Sequence, residues 1–130
     1  MCASTVRDML SNQDVFETLK YRVETDAYGT VQYFNHNNQL HREGGPAVIW
    51  YDGTQWWCQN GKLHREDGPA ITWADGGKSW YCQGQLHRTN GPAVVRPGYP
   101  SRWRLNGKEY PQDVHQVVVK RGGFTPWPLQ

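Results

Sequence analysis

The chain has 130 residues, with 14 Lys and Arg against 12 Asp and Glu, for a formal net charge of +2. Aliphatic residues are scarce, but disorder also needs a high net charge, and seven Trp, seven Tyr and three Phe supply large rings to bury. With 14 Gly and 8 Pro, the composition excludes a helical bundle and points to one small all-β domain. No apolar run is long enough to span a membrane.

Residues 1–27 read as an N-terminal cap. Ser4 or Thr5 can cap a short helix over Ser4–Ser11, with Asp8 in its first turn and Val6, Met9 and Leu10 as its apolar stripe. Leu19, Tyr21 and Val23 alternate and predict a first strand. The opening Met1–Asp8 has no basic region leading into an apolar stretch, so it does not read as a secretory signal. The three cysteines, Cys2, Cys58 and Cys82, form neither an even set nor a C-x2-C pair. A disulfide scaffold and a zinc site are therefore not expected, and a reducing, cytoplasmic location is.

Residues 28–110 carry an internal repeat. Copies of 23 residues run over 40–62, 63–85 and 86–108, after a degenerate half copy over 28–39. The first two copies share 12 of 23 positions, and eight positions hold in all three. Asn60-Gly61 and Asn106-Gly107, with Gln83-Gly84 between them, predict two-residue hairpin turns, because both turn residues need positive φ. Asp52-Gly53 and Asp75-Gly76 mark the opposite hairpin ends, and Ala47–Tyr51 and Ala70–Ala74 read as strands. Proline cannot donate to a ladder, so each His-Arg-x-x-Gly-Pro segment reads as a tight loop before the next strand.

A single layer of hairpin copies places equivalent residues in columns. The expected columns are Phe34, Trp57, Trp80 and Trp103; then Trp50 and Trp73, ended by Arg96; then His41, His64 and His87, beside Arg42, Arg65 and Arg88. Residues 111–130 form a C-terminal cap and tail. Pro111–Arg121 suits a helix by its ends and a strand by its Val117-Val118-Val119 run. Pro126 and Pro128 around Trp127 make the tail irregular.

The pattern of Trp57, Asn60-Gly61-Lys62 and His64, closed by Asp75-Gly76, resembles the MORN repeat. It looks closest to divergent MORN-like variants of bacterial and phage proteins, some of them similar to antitoxins. Where the usual repeat has glycines after the histidine, this chain has Arg65-Glu66-Asp67-Gly68-Pro69. The resemblance implies an elongated antiparallel sheet used as a binding scaffold, without cofactor or reaction. Together with the small size and the lack of an enzyme signature, it suggests a small inhibitor or antitoxin-like adaptor of a phage or mobile element, for example one that blocks a CRISPR or other nuclease complex.

The candidate sites follow from the columns. His41, His64 and His87 would lie roughly 9–10 Å apart at two strand spacings, too far to share one zinc ion, so a structural role is expected of them as of Trp57, Trp80 and Trp103. A constellation that occurs three times suits structure better than catalysis, and no catalytic residue is expected. Arg96, Arg102 and Arg104 gather in the third copy, which predicts a basic surface for an acidic protein partner. Nucleic acid or anionic lipid is the alternative partner for the same surface. Trp50, Trp56 and Trp73 are further partner-binding candidates, because a thin sheet cannot bury every ring.

Overall fold

The computed structural model describes residues 21–122. The helix expected over Ser4–Ser11 and the tail around Trp127 lie outside them. Among the described residues the protein is short antiparallel strands followed by one helix. In chain order these are β1 (Arg22–Thr25), β2 (Val31–Phe34), β3 (Val48–Ile49), β4 (Gln55–Trp56), β5 (Cys58–Gln59), β6 (Lys62–Leu63) and β7 (Ile71–Thr72). They continue as β8 (Lys78–Ser79), β9 (Tyr81–Cys82), β10 (Gln85–Leu86), β11 (Val94–Val95), β12 (Trp103–Leu105), β13 (Lys108–Tyr110) and α1 (Gln112–Arg121).

Seven strands form one sheet in the order β1-β2-β3-β4-β7-β8-β11, and β5-β6, β9-β10 and β12-β13 are separate hairpins. The hairpin turns obey the Asn-Gly rule. Asn60 and Gly61 have φ of 50° and 83°, and Asn106 and Gly107 have 49° and 85°. That pair of left-handed residues matches the right-handed twist of the flanking strands. At the other ends, the N–H of Trp50 donates to the carbonyl of Thr54, and that of Trp73 to Gly77. These turns shorten the strands expected over Ala47–Tyr51 and Ala70–Ala74 to β3 and β7.

Backbone bonds between copies recur at fixed intervals. The N–H of Trp57 donates to Ala70 at 2.7 Å, and that of Trp80 to Ala93 at 2.8 Å. In the half copy this bond runs from Tyr33 to Ala47, at 2.8 Å. Tyr33, not Phe34, therefore holds the place of Trp57. The cause is loop length. The half copy closes through Asn35 to Gln39, with the Asn35 N–H on the Gln39 carbonyl, where the later copies use a two-residue turn. One extra residue displaces the register by one, and that moves side chains to the other face.

The interior is thin. Ala47, Val48, Ala70, Ile71, Ala93, Cys58 and Leu105 are buried, and all three alanines have no exposed surface. Beyond them α1 packs on β12. At Pro111–Arg121 the helix is favoured by its terminal charges and by its C-terminal cap. Asp113 lies in the first turn, Lys120 and Arg121 in the last, and Gly122 at φ 65° donates its N–H to Val118 and Val119. His115 is fully buried on the inner side of α1. Its Nε2 lies 2.7 Å from the carbonyl of Arg88, and its ring meets Trp103 edge-on at 5.1 Å.

Candidate binding surface

Each His-Arg-x-x-Gly-Pro loop folds around its arginine. The Arg65 guanidinium lies 3.6 Å from the Trp57 ring centre, Arg88 lies 3.7 Å from Trp80, and Arg42 lies 4.0 Å from Tyr33. Nη1 of each arginine donates to a proline carbonyl: Arg42 to Pro46, Arg65 to Pro69 and Arg88 to Pro92. The opposite side of the guanidinium is closed by glycine. A Cβ at Gly68 or Gly91 would stand 2.8 Å from the guanidinium carbon. A Cβ at either position would displace the guanidinium, whereas Gly61 is favoured for its positive φ.

The histidines join one hairpin to the turn of the next. The backbone N–H of Asn60 donates to His41 Nδ1 at 3.0 Å, that of Gln83 to His64 Nδ1 at 2.9 Å, and that of Asn106 to His87 Nδ1 at 2.8 Å. An accepting Nδ1 leaves the proton of a neutral ring on Nε2. In the first two copies that nitrogen faces a glutamate, His41 toward Glu43 at 3.6 Å and His64 toward Glu66 at 3.5 Å. The third copy has Thr89 at that place. Burial, and then the nearby His115, lower the pKa of His87 below its ordinary value. Among the described residues no cluster of three His, Cys, Asp or Glu is placed to hold a metal ion.

The arginines of the third copy are engaged within the chain. Arg96 Nη2 bonds Asp75 Oδ2 at 3.1 Å. Arg102 reaches Glu109 at 2.6 Å, and Arg104 reaches the same carboxylate at 3.1 Å. A backbone bond from Gly77 and the Arg96 guanidinium hold the Asp75 carboxyl below its usual range, and Arg102 does the same for Glu109. The expected basic surface is thus three guanidinium groups against two carboxylates.

Trp50, Trp56 and Trp73 are half-buried. Trp50 and Trp56 meet edge-on at 5.2 Å, and Arg96 covers the Trp73 ring at 4.3 Å. More prominent are three tyrosines that the columns did not single out. Tyr28, Tyr51 and Tyr99 are 81%, 69% and 70% exposed, all on turns. The rings of Tyr28 and Tyr51 lie 6.2 Å apart. Their signal in the sequence is a Tyr next to a glycine-containing turn, at Tyr28-Gly29, Tyr51-Asp52-Gly53 and Gly98-Tyr99.

Cys58 and Cys82 are free thiols. Burial pushes the Cys58 thiol up to about 11, so it stays protonated and weakly nucleophilic at neutral pH. No helix among the described residues is long and apolar enough to cross a membrane. The fold and its surfaces define an antiparallel β protein with a C-terminal helix and exposed aromatic turns. No family model, no curated protein and no solved structure matches the chain.

Proposed function

We propose that the protein is a non-catalytic protein-binding module, a scaffold of stacked 23-residue units similar to MORN repeats. The stacked-unit reading is supported by the three His-to-turn bonds, each spanning 19 residues. The binding reading is carried by one observation: Tyr28, Tyr51 and Tyr99 stand largely exposed in a chain whose interior is starved of apolar side chains. Tyrosine is enriched among the residues that dominate interface energy. The inhibitor or antitoxin-like role implied by the resemblance, with a nuclease complex as partner, belongs to this proposal. An acidic partner surface suits the one guanidinium in excess near Asp75 and Glu109. Nucleic-acid or lipid binding would draw on Arg96, Arg102 and Arg104, which already face those two carboxylates.

The test is capture from a host lysate with the immobilised protein. Wild type should retain one protein complex after nuclease treatment of the lysate. A Tyr28→Ala, Tyr51→Ala double variant with an unchanged melt should lose it. Capture that disappears with nuclease, or that survives the double substitution, overturns the proposal.

A further inference from the structure

Trp56 and Ser79 occupy the same place in successive copies, 23 residues apart. Their pairings agree: Trp56 lies opposite Val48 and Ile71, and Ser79 lies opposite Ile71 and Val94. In the first copy the Trp56 indole fills the space beside Trp50, at 5.2 Å. In the second copy a buried serine stands there beside Trp73. The large side chain has moved two residues along, since Cys58 of the first copy becomes Tyr81 in the second.

A cleft of about 280 Å³ lies beside Ser79, lined also by Trp73, Tyr81, Arg96, Tyr99 and Arg102. Tyr99, at 70% exposure, stands at its mouth. Its chemistry is mixed. The walls are flat rings, and Arg96 lies between them, 4.3 Å from the Trp73 ring centre and 5.9 Å from that of Tyr99. Arg96 Nε is buried and bonds no acceptor among the described residues.

We infer that this cleft receives one aromatic side chain of the protein partner, flanked in the partner's sequence by an acidic residue. The inference rests on the protein-binding reading above. The choice of an aromatic group follows the aligned position, where the first copy sets the Trp56 ring against Trp50. The flanking acid follows from charge. Arg96 and Arg102 both line the cleft, and no carboxylate among the described residues does.

The probes are two short peptides, acetyl-Trp-Glu-amide and acetyl-Trp-Gln-amide, titrated into the isotopically labelled protein and followed by NMR. The Glu peptide should shift the Trp73 indole N–H and the Tyr99 amide saturably, with a Kd on the order of 1 mM, as suits so small a ligand. The Gln peptide should bind at least about threefold more weakly once its counter-charge is gone. Ser79→Trp fills the cleft from within and should abolish the shifts. Tyr99→Ala changes an exposed side chain, should leave the melt unchanged, and should weaken binding at least about threefold; it decides the matter where Ser79→Trp does not fold. Absence of saturation, equal affinity for the two peptides, or wild-type affinity in the Tyr99→Ala variant overturns the inference. Partner capture that depends on Tyr28 and Tyr51 while both peptides fail would overturn the cleft alone and leave the binding module standing.

Discussion

The guanidinium carbon of Arg65 lies over the Trp57 ring, 3.6 Å from its centre, and a Cβ at Gly68 would stand only 2.8 Å from the same carbon. One cation is thus held between a ring and a backbone, with its Nη1 on the Pro69 carbonyl and its Nε on Asp67 Oδ1 at 2.9 Å. Planarity matters here, because only a flat group fits so narrow a slot and still reaches two acceptors in its own plane.

Gly68→Ala should therefore destabilise the protein by about 1–3 kcal/mol, the usual cost of overpacking. Arg65→Lys keeps the charge but loses the stacked fork, and should cost about 1 kcal/mol. Chemical denaturation of both variants checks this. A Gly68→Ala variant as stable as wild type would mean that Arg65 can leave the slot freely.

Trp80 lies under Arg88 in the central part of the array and is half-buried. Its ring is a large share of a thin interior. Trp80→Ala should cost about 2–4 kcal/mol, somewhat below the usual figure for a fully buried ring. A loss below about 1 kcal/mol in a thermal or denaturant melt would contradict this.

Arg102 and Arg104 share Glu109, which changes the outcome of reversing both to Glu. Read as a free surface, the pair could be reversed without effect on stability. With Glu109 between them, the reversal gathers three carboxylates, and the melting temperature should fall. Adding Glu109→Arg should restore most of the loss. The triple variant separates the internal ion pairs from any contact with a partner.

The lowered pKa of His87 gives a pH dependence of definite sign. Above pH of about 6.5 the ring is neutral in both the folded and the unfolded chain. Below it the unfolded chain takes up a proton that the folded chain resists. Stability should therefore fall as the pH drops from about 6.5 through the lower folded-state value. Protonation would also cost the bond from the Asn106 N–H to Nδ1. Melts from pH 7.5 to pH 5 should show this decline, and His87→Gln should flatten it. An equal slope in the variant would assign the effect to other groups.

Much of the fold was legible because turns are local. Asn60-Gly61 and Asn106-Gly107 impose their backbone conformation whatever surrounds them. The register of the half copy was not legible, since a single extra residue between Asn35 and Gln39 replaced Phe34 by Tyr33 in the column. The run Val117-Val118-Val119 hid a helix whose formation rests on Asp113, Lys120, Arg121 and Gly122 at its two ends. The candidate site was legible only in part. Trp50, Trp56 and Trp73 were visible as surplus rings, but the engagement of Arg102 and Arg104 by Glu109 depends on how β12 pairs with β13. Tyr51 closes the strand expected over Ala47–Tyr51, and Tyr28 and Tyr99 belong to no column, so the exposure of these rings shows only once the turns are placed.

The histidine bonds have a consequence for length. Each hairpin is followed by a ring nitrogen that reaches forward and carries a turn N–H that reaches back, and His64 and Gln83 use the same geometry as His87 and Asn106. A duplicate of residues 63–85 inserted after Gln85 would meet matching partners on both sides, and α1 would still close the far end. The molecule is built to a modular gauge, so its reach along a partner can be extended by whole units while both terminal fittings stay as they are.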